Sequence, residues 1–227
     1  MRRREEMIER LRTEALPDIL IIGGGINGVG TFRDLAAQNV PALLVEAGDF
    51  SSGTSAAPSR LIHGGLRYLE TGEAALVRES LTERNLLLKN ACHIVQPLPV
   101  WVPLRSWLGG TFGAIARFLK LTRTPGRKGA IPVKLGLMLY DAFGRTQQTM
   151  PDHRLLTRRQ ARAEMPVLAP DIRAVAEYYD ARITHPERLV MELVADAEAE
   201  CPESLAVPYL KAIGQENGRV TLRDMAS

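Results

Sequence analysis

Cysteine is scarce in this sequence. Its two cysteines, Cys92 and Cys201, lie far apart, without a CxxC pair or histidines at metal-ligand spacing. This gives no basis for a disulfide framework or for a zinc or iron–sulfur site. We therefore expect reduced cysteines, a cytoplasmic location and no metal.

Long apolar runs are also missing. No stretch approaches the roughly 18 consecutive apolar residues that a transmembrane helix requires, and the basic start at Met1 continues into residues too charged for a secretory signal. The net charge of +3 is small and the arginines are scattered, which gives no case for nucleic-acid binding. Any membrane contact is expected to be peripheral, on the cytoplasmic face.

The remaining composition is that of a globular protein. The 227 residues are 45% hydrophobic and 24% charged, which predicts one or two domains with a real core.

A glycine-rich turn near the N-terminus follows a strand-like apolar run, Ile19–Ile22. Gly23, Gly25 and Gly28 form the pattern G-x-G-x-x-G, with Asn27 inside it. Glycines at this spacing let the chain turn sharply out of a strand and let the backbone approach a pyrophosphate at a helix N-terminus.

The segment Asp18–Glu46 as a whole predicts a βαβ unit that binds a dinucleotide. A second strand, Ala42–Val45, ends at Glu46, where a carboxylate can accept hydrogen bonds from an adenosine ribose. The helix residues expected to face the sheet are Phe32, Leu35 and Ala36.

Two stretches after this unit differ in character from it. Residues 47–60 form a loop rich in Gly, Ser and Thr, a kind of loop that is often functional. In the next stretch, 61–70, His63 precedes Gly64 and Gly65, which permit close backbone approach to a flat ligand. A tight turn with a structural histidine is the simpler alternative.

The segment Trp107–Arg123 has one apolar and one basic face at helical period. A surface helix facing the core explains it, and an interfacial membrane helix is the alternative. Helices are further predicted over 72–89, 132–143, 157–164 and 186–200, the last begun by a capping box at 184–187. Strands are predicted over 174–179, 204–213 and 219–222, with a hairpin turn at Asn217-Gly218.

Together these motifs resemble the FAD-dependent glycerol-3-phosphate dehydrogenases, quinone-linked flavoproteins of the D-amino-acid oxidase-like superfamily. The run 61–69, Leu-Ile-His-Gly-Gly-Leu-Arg-Tyr-Leu, is specific to that family, whereas the first glycine motif is shared by many families. Gly53-Thr54-Ser55 supports the resemblance, and weaker support comes from Gly136–Asp141 and Tyr178–Arg182.

The resemblance implies oxidation of sn-glycerol 3-phosphate to dihydroxyacetone phosphate, with hydride transfer to flavin N5 and electrons passed to quinone. In that reaction His63 is the candidate base, Arg67 offers a planar fork for the phosphate, and Tyr68 offers a hydroxyl donor beside it. The residues implied in flavin or pyrophosphate binding are Thr54, Ser55, Gly64 and Gly65.

We therefore expect an α/β fold, in which a Rossmann-like FAD-binding βαβ domain precedes the beginning of a second, α+β substrate or cap domain. Family members are much longer, so the chain is expected to be an N-terminal portion, truncated at its C-terminus. The expected divisions are a charged arm (1–16), the FAD-binding portion (17–92), a helical cap portion (93–173) and an incomplete return segment (174–227).

Three alternatives stay open. One is another flavoenzyme of the superfamily, such as an amine or hydroxy-acid oxidase, and another is a non-catalytic flavin-binding fragment. The third is a nicotinamide-dependent Rossmann enzyme, which a flavin spectrum would exclude. The sequence does not determine the oligomeric state, so a homodimer is neither required nor excluded.

Overall fold

The computed structural model describes residues 3–69, 72–107, 130–144 and 150–226. The chain folds into two compact units, one formed by residues 1–60 with 185–227 and the other by residues 61–184. The divisions expected at 92/93 and 173/174 fall inside the second unit. The helix predicted over 107–123 lies outside the described residues, apart from Trp107.

The elements of the described residues follow in chain order: α1 (Arg4–Thr13), β1 (Ile19–Ile22), α2 (Ile26–Ala37), β2 (Ala42–Val45), a 3-10 turn (Thr54–Ala56), β3 (Leu61–Ile62), α3 (Leu66–Leu69), α4 (Ala74–Asn90), β4 (Val95–Leu104), α5 (Ala130–Gly144), β5 (Arg154–Thr157), α6 (Arg158–Glu164), β6 (Ala174–Ile183), α7 (Pro186–Glu200), β7 (Leu205–Val207), β8 (Leu210–Glu216) and β9 (Arg219–Asp224).

The first unit is built on a parallel sheet with strand order β1-β2-β7. Strands β1 and β2 have the predicted bounds and pair in register, with Ile21 opposite Leu44. Helices α2 and α7 cover one face, and Phe32 and Ala36 are buried there with Leu35 packed beside them. The predicted βαβ unit and the sheet-facing side of its helix are therefore confirmed.

Helix α1 covers the opposite face of this sheet. Met7 is 1% exposed and packs with Leu43, Val45 and Leu205, which alternate along their strands with the residues facing α2. The sequence of residues 1–15 predicts a short charged helix, and the helix is confirmed. Its interpretation as a solvated arm is wrong, because a single buried apolar stripe is enough to dock a charged helix on a sheet.

The strand predicted over 204–213 is interrupted in the structure. Tyr209 adopts a φ of +57°, and Pro208 has no N–H to donate, so the chain turns between β7 and β8. Strands β8 and β9 form the predicted hairpin, in which Asn217 and Gly218 have φ values of +49° and +74°.

Helix α7 begins at Pro186 as predicted, but the capping box expected at 184–187 is absent from these described residues. No side chain caps the helix at His185. The Thr184 hydroxyl instead donates to the Ile94 carbonyl oxygen at 3.2 Å. Thr157, by contrast, forms a full capping box with Gln160 at the start of α6.

The second unit contains an antiparallel sheet with β6 at its centre. Over its ten residues β6 pairs with β4 on one side, and with β3 and β5 on the other. It is four residues longer than the strand predicted over 174–179. Helices α4 and α5 pack together through Val77, Leu81 and Tyr140, and α6 packs on a separate cluster around Val175.

Candidate active site

The glycine turn of the first unit connects β1 to α2. The Gly23 N–H donates to the Val45 carbonyl oxygen at 2.8 Å, and Gly23 has a φ of +111°, which favours glycine. A Cβ on Gly28 would lie 2.0 Å from the Gly23 carbonyl oxygen. The sharp turn and the close packing of the helix on it therefore both require glycine.

The start of α2 is joined to the 3-10 turn of the same unit. The Ile26 N–H donates to Ser55 Oγ at 3.0 Å, and Gly25 is the N-cap of the helix. Asn27 in the first helical turn and Thr54 in the 3-10 turn are exposed. The predicted residues Gly25, Asn27 and Ser55 are thus close together at a helix N-terminus, where the helix dipole favours an anion.

Glu46 ties the end of β2 to this turn. Its carboxylate accepts the Gly24 N–H at 2.6 Å and the Gly48 N–H at 2.8 Å, and it is half-buried. Its backbone N–H donates to Val207 and its carbonyl oxygen accepts from Leu210, so the residue is fixed from both sides. Each carboxylate oxygen keeps a lone pair beyond these bonds.

Two neighbouring residues outside the predicted set of site residues also shape this turn. A Cβ on Gly24 would lie 2.5 Å from Cδ1 of buried Phe50, so the ring closes one side of the turn. Ser51 has a φ of +63° and is 1% exposed, and its N–H donates to the Gly24 carbonyl oxygen. The only sequence signal for Ser51 is its place in the polar loop.

The His63-Gly64-Gly65 turn lies at the end of β3 in the second unit. Ile62 pairs with Ala181 on β6, and the Gly64 N–H donates to the Asp180 carboxylate at 3.0 Å. A Cβ on Gly64 would lie 2.2 Å from Leu81 and 2.4 Å from the Tyr140 hydroxyl. Gly65 has a φ of +71°. The side chains packed around Gly64 therefore require glycine there, and the backbone conformation requires it at Gly65.

A buried polar network lies behind this turn. Asp180 accepts from the Tyr140 hydroxyl at 2.6 Å and from Arg84 at 3.1 Å, and Arg84 also donates to the Tyr179 carbonyl oxygen at 3.0 Å. Asp180, Arg84 and Tyr140 are 2%, 5% and 2% exposed. Burial, reinforced by the Asp180 carboxylate, raises the pKa of Tyr140, and the same causes raise the pKa of Tyr178 to about 12.

Parts of this network could be found from the sequence. Tyr140 and Asp180 fall in the two segments that gave weaker support to the family resemblance, although their meeting is a tertiary fact. Arg84 carries no signal, because it is one of two arginines among the charged residues of its helix.

The predicted catalytic residues sit on and just after the turn. His63 is exposed, and Tyr68 is 42% exposed with its ring against Gly65. Arg67 lies in α3, and its side chain is outside the described part of the structure. His63, Gly64, Gly65 and Tyr68 therefore belong to one local arrangement in the second unit.

A cleft lies beside the network in the second unit, lined by Arg84, Asn85 and Tyr140 among others. At its edge His153 Nδ1 lies 2.5 Å from Asp141 Oδ2. Among the described residues, no group of three or more His, Cys, Asp and Glu could hold a metal. No helix within the described ranges is long and apolar enough to cross a membrane.

The residues of the first unit fit a dinucleotide. Gly23 has open space at its Cβ position, and the helix N-terminus of α2 is bordered by small or polar groups. The buried Ser51 Oγ has no hydrogen-bond partner within the described part of the chain. A strand, a positive-φ glycine, a helix N-terminus and an acid at the next strand end are the features by which such folds hold a pyrophosphate and a ribose.

Comparison with known proteins defines the class. Residues 18–200 match the family described as FAD dependent oxidoreductase, and the chain belongs to this family. The expected fold class and the FAD cofactor of the family are thereby confirmed.

Individual relatives within this family have narrower named activities than the family description. The chain is 38% identical over 206 residues to a glycerol-3-phosphate dehydrogenase of Synechocystis sp., covering 90% of this chain and 34% of that protein. It is 35% identical over 201 residues to a D-erythritol 1-phosphate dehydrogenase of Brucella abortus, covering 88% of this chain and 36% of that protein.

A solved structure supports the fold. The glycerol-3-phosphate dehydrogenase of Bacillus halodurans complexed with FAD superposes with a TM-score of 0.59 at 20% identity, covering 98% of this chain and 33% of that one. The chain thus spans about a third of the length of these relatives.

Proposed function

We propose that this chain is the FAD-binding and substrate-facing N-terminal part of an enzyme that oxidises sn-glycerol 3-phosphate to dihydroxyacetone phosphate. The observation that carries the proposal is the His63-Gly64-Gly65 turn. In it an exposed imidazole directly precedes a glycine backbone that admits no side chain. The 38% identity to a glycerol-3-phosphate dehydrogenase supports the same substrate.

In the first unit, Gly23, Gly25, Asn27 and Gly28 would hold the pyrophosphate through backbone N–H groups at the start of α2. The Ser55 hydroxyl already accepts from Ile26 N–H, which leaves its proton to donate to a phosphate oxygen, and Thr54 would donate beside it. The remaining lone pairs of Glu46 would accept from the adenosine ribose. Gly64 and Gly65 of the second unit would lie against the flavin ring.

His63 is the proposed general base. The substrate's C2 hydroxyl must lose its proton as its C2 hydrogen leaves, and imidazole takes up protons near neutral pH. Arg67 would bind the phosphate through two parallel N–H groups, and Tyr68 would donate its hydroxyl alongside. When bound, FAD would supply the hydride acceptor, N5 of its flavin ring, and the route by which the electrons leave.

Quinone is the proposed electron acceptor, with peripheral membrane contact, because quinones are dissolved in the membrane. Residues 61–184 contain 18 Lys and Arg against 10 Asp and Glu, whereas the rest of the chain is net negative. This concentration of positive charge in the second unit favours an anionic substrate or an anionic lipid surface. A homodimer is compatible with this proposal and is not required by it.

A second candidate substrate is another polyol phosphate, such as D-erythritol 1-phosphate. The 35% identity to an erythritol phosphate dehydrogenase favours it. Both substrates share a phosphate and a secondary hydroxyl, so the proposed roles of Arg67 and His63 are the same for either. A non-catalytic flavin-binding fragment and an amine or hydroxy-acid oxidase have no comparable support among the relatives described above.

The test compares Arg67→Ala with a matched control, Arg105→Ala, in a polypeptide that carries this sequence at the full length of its relatives. Arg105 is an exposed arginine of the same unit, paired with Asp171. We expect Arg67→Ala to raise KM for glycerol 3-phosphate far more than for glycerol, because only the phosphate ester carries the charge that Arg67 binds. An equal rise for both substrates, or the same rise in the control, contradicts the phosphate role.

Kinetic measurements on the same polypeptide decide between the two substrates. We expect a higher kcat/KM for glycerol 3-phosphate than for D-erythritol 1-phosphate. The reverse order would make D-erythritol 1-phosphate the preferred substrate.

A further inference from the structure

The backbone of His63 lies between two fixed points, both provided by β6. Ile62, just before it, pairs with Ala181 in the antiparallel ladder. Gly64, just after it, donates its N–H to the side chain of Asp180, the neighbouring residue on β6. Two consecutive residues of one buried strand therefore set the place of the histidine.

The contact between Gly64 and Asp180 has little room to shift. The space where a Gly64 side chain would stand is filled by Leu81 and by the Tyr140 hydroxyl, which itself donates to Asp180. Arg84 contacts Asp180 and the Tyr140 hydroxyl at 3.1 Å each. A movement of Asp180 would therefore disturb Gly64 directly.

The chemistry of the network suits this task. Burial raises the pKa of Tyr140 and of Tyr178, so both hydroxyls stay protonated, and therefore able to donate, to well above the physiological range. Buried ion pairs seldom add stability over an apolar core, and their best-attested use is to fix one arrangement. A carboxylate that gathers a backbone N–H, a guanidinium and a hydroxyl is well suited to fixing a turn.

We propose that Asp180 is a positioning residue: by holding the Gly64 N–H it sets where the His63 imidazole stands, and Arg84 and Tyr140 hold Asp180. The inference rests on the proposed function for the role of His63, and it deepens that function by assigning the residue that places the base. Asp180 itself acts only through the turn.

The matched control is Glu177, another carboxylate of β6. It is also 2% exposed and ion-paired to an arginine, Arg154, at 2.6 Å. Being three residues from Asp180 along a strand, it faces the other side of the sheet, where it accepts from Trp101. Removing either carboxylate destabilises the same strand, but only Asp180 contacts Gly64.

The experiment measures amide hydrogen exchange and histidine ring resonances by NMR in the full chain carrying Asp180→Ala or Glu177→Ala. We expect Asp180→Ala to speed exchange of the Gly64 amide roughly tenfold to hundredfold relative to the control, and to shift the His63 ring resonance. Asp180→Asn, which keeps an acceptor oxygen in place, should restore part of the protection. Equal Gly64 exchange in the two alanine variants overturns the proposal.

Tyr140→Phe covers the case in which Asp180→Ala fails to fold, because it removes a single hydroxyl. A shifted His63 resonance is expected, and an unchanged one overturns the proposal. A separate measurement, flavin reduction, tests the proposed function. If His63→Gln leaves flavin reduction unchanged in the full-length enzyme, the base assignment is wrong, while the exchange data still decide the role of Asp180.

Discussion

Replacing Glu46 should affect two properties at once, because its carboxylate has one set of partners in the structure and a second one in the proposed function. Its oxygens accept N–H groups of Gly24 and Gly48 in the chain itself, and their remaining lone pairs are assigned to the ribose of FAD. Glu46→Ala therefore leaves two partly buried N–H groups without this acceptor and would also remove the proposed ribose contact.

The expected magnitudes follow from hydrogen-bond energetics. An unsatisfied backbone N–H costs about 1–3 kcal/mol when buried, and water reaches this half-buried site, so we expect about 2–3 kcal/mol of lost stability for the pair. Loss of one charge-assisted bond to the ribose, at about 1.5–3 kcal/mol, corresponds to a tenfold to hundredfold weaker FAD affinity. Glu46→Gln keeps one acceptor oxygen, so its stability and its FAD affinity should lie between those of the unchanged protein and those of Glu46→Ala.

The assay combines chemical denaturation of the apoprotein with FAD titration by fluorescence in a full-length form. Unchanged FAD affinity of Glu46→Ala would show that the ribose contact is wrong. Unchanged stability would show that the bonds to Gly24 and Gly48 contribute nothing, and that the turn is held by its glycines alone.

Further predictions concern the glycine turn, the tyrosine network and the membrane. Gly28→Ala should abolish folding or lower Tm sharply, since its Cβ would meet the Gly23 carbonyl oxygen; a normal Tm contradicts this. The free energy of unfolding should fall between about pH 10 and pH 12, because native Tyr178 keeps a proton there that the unfolded chain loses. Tyr178→Phe should make this fall less steep, and an unaltered slope contradicts the role of Tyr178. Arg117→Glu with Lys120→Glu should abolish flotation with anionic liposomes; unaltered flotation, or none by the parent, contradicts membrane contact.

The first unit was the more predictable from sequence, because its signals are local. An apolar run, three glycines and an acid at fixed spacing determine β1, α2 and β2, and the strands occur with the predicted bounds. The docking of α1 was not predictable in this way, because Met7 is one apolar residue among charges and its partners Leu43 and Leu205 are distant in sequence.

The second unit was less predictable from sequence, because its decisive contacts join residues that are distant in the chain. The motif around His63 predicts a functional turn. The residue that holds this turn through a hydrogen bond is Asp180, which is 116 residues away from Gly64. The capping box expected at 184–187 failed for a similar reason, since Thr184 has a tertiary partner, Ile94, that competes for its hydroxyl. Sequence patterns report near neighbours, whereas buried polar networks depend on which strands meet.

The direct test of the proposed function is bleaching of flavin absorbance by sn-glycerol 3-phosphate under anaerobic conditions. At the full length of the relatives we predict rapid bleaching that His63→Ala slows roughly a hundredfold or more with flavin still bound. The 227-residue chain alone should show no turnover. A flavin ring that the protein covers on just one side stays largely exposed to water and gains little free energy from binding. Bleaching unaffected by His63→Ala, or rapid bleaching by the 227-residue chain, would contradict the assignment of the base or of the incomplete site.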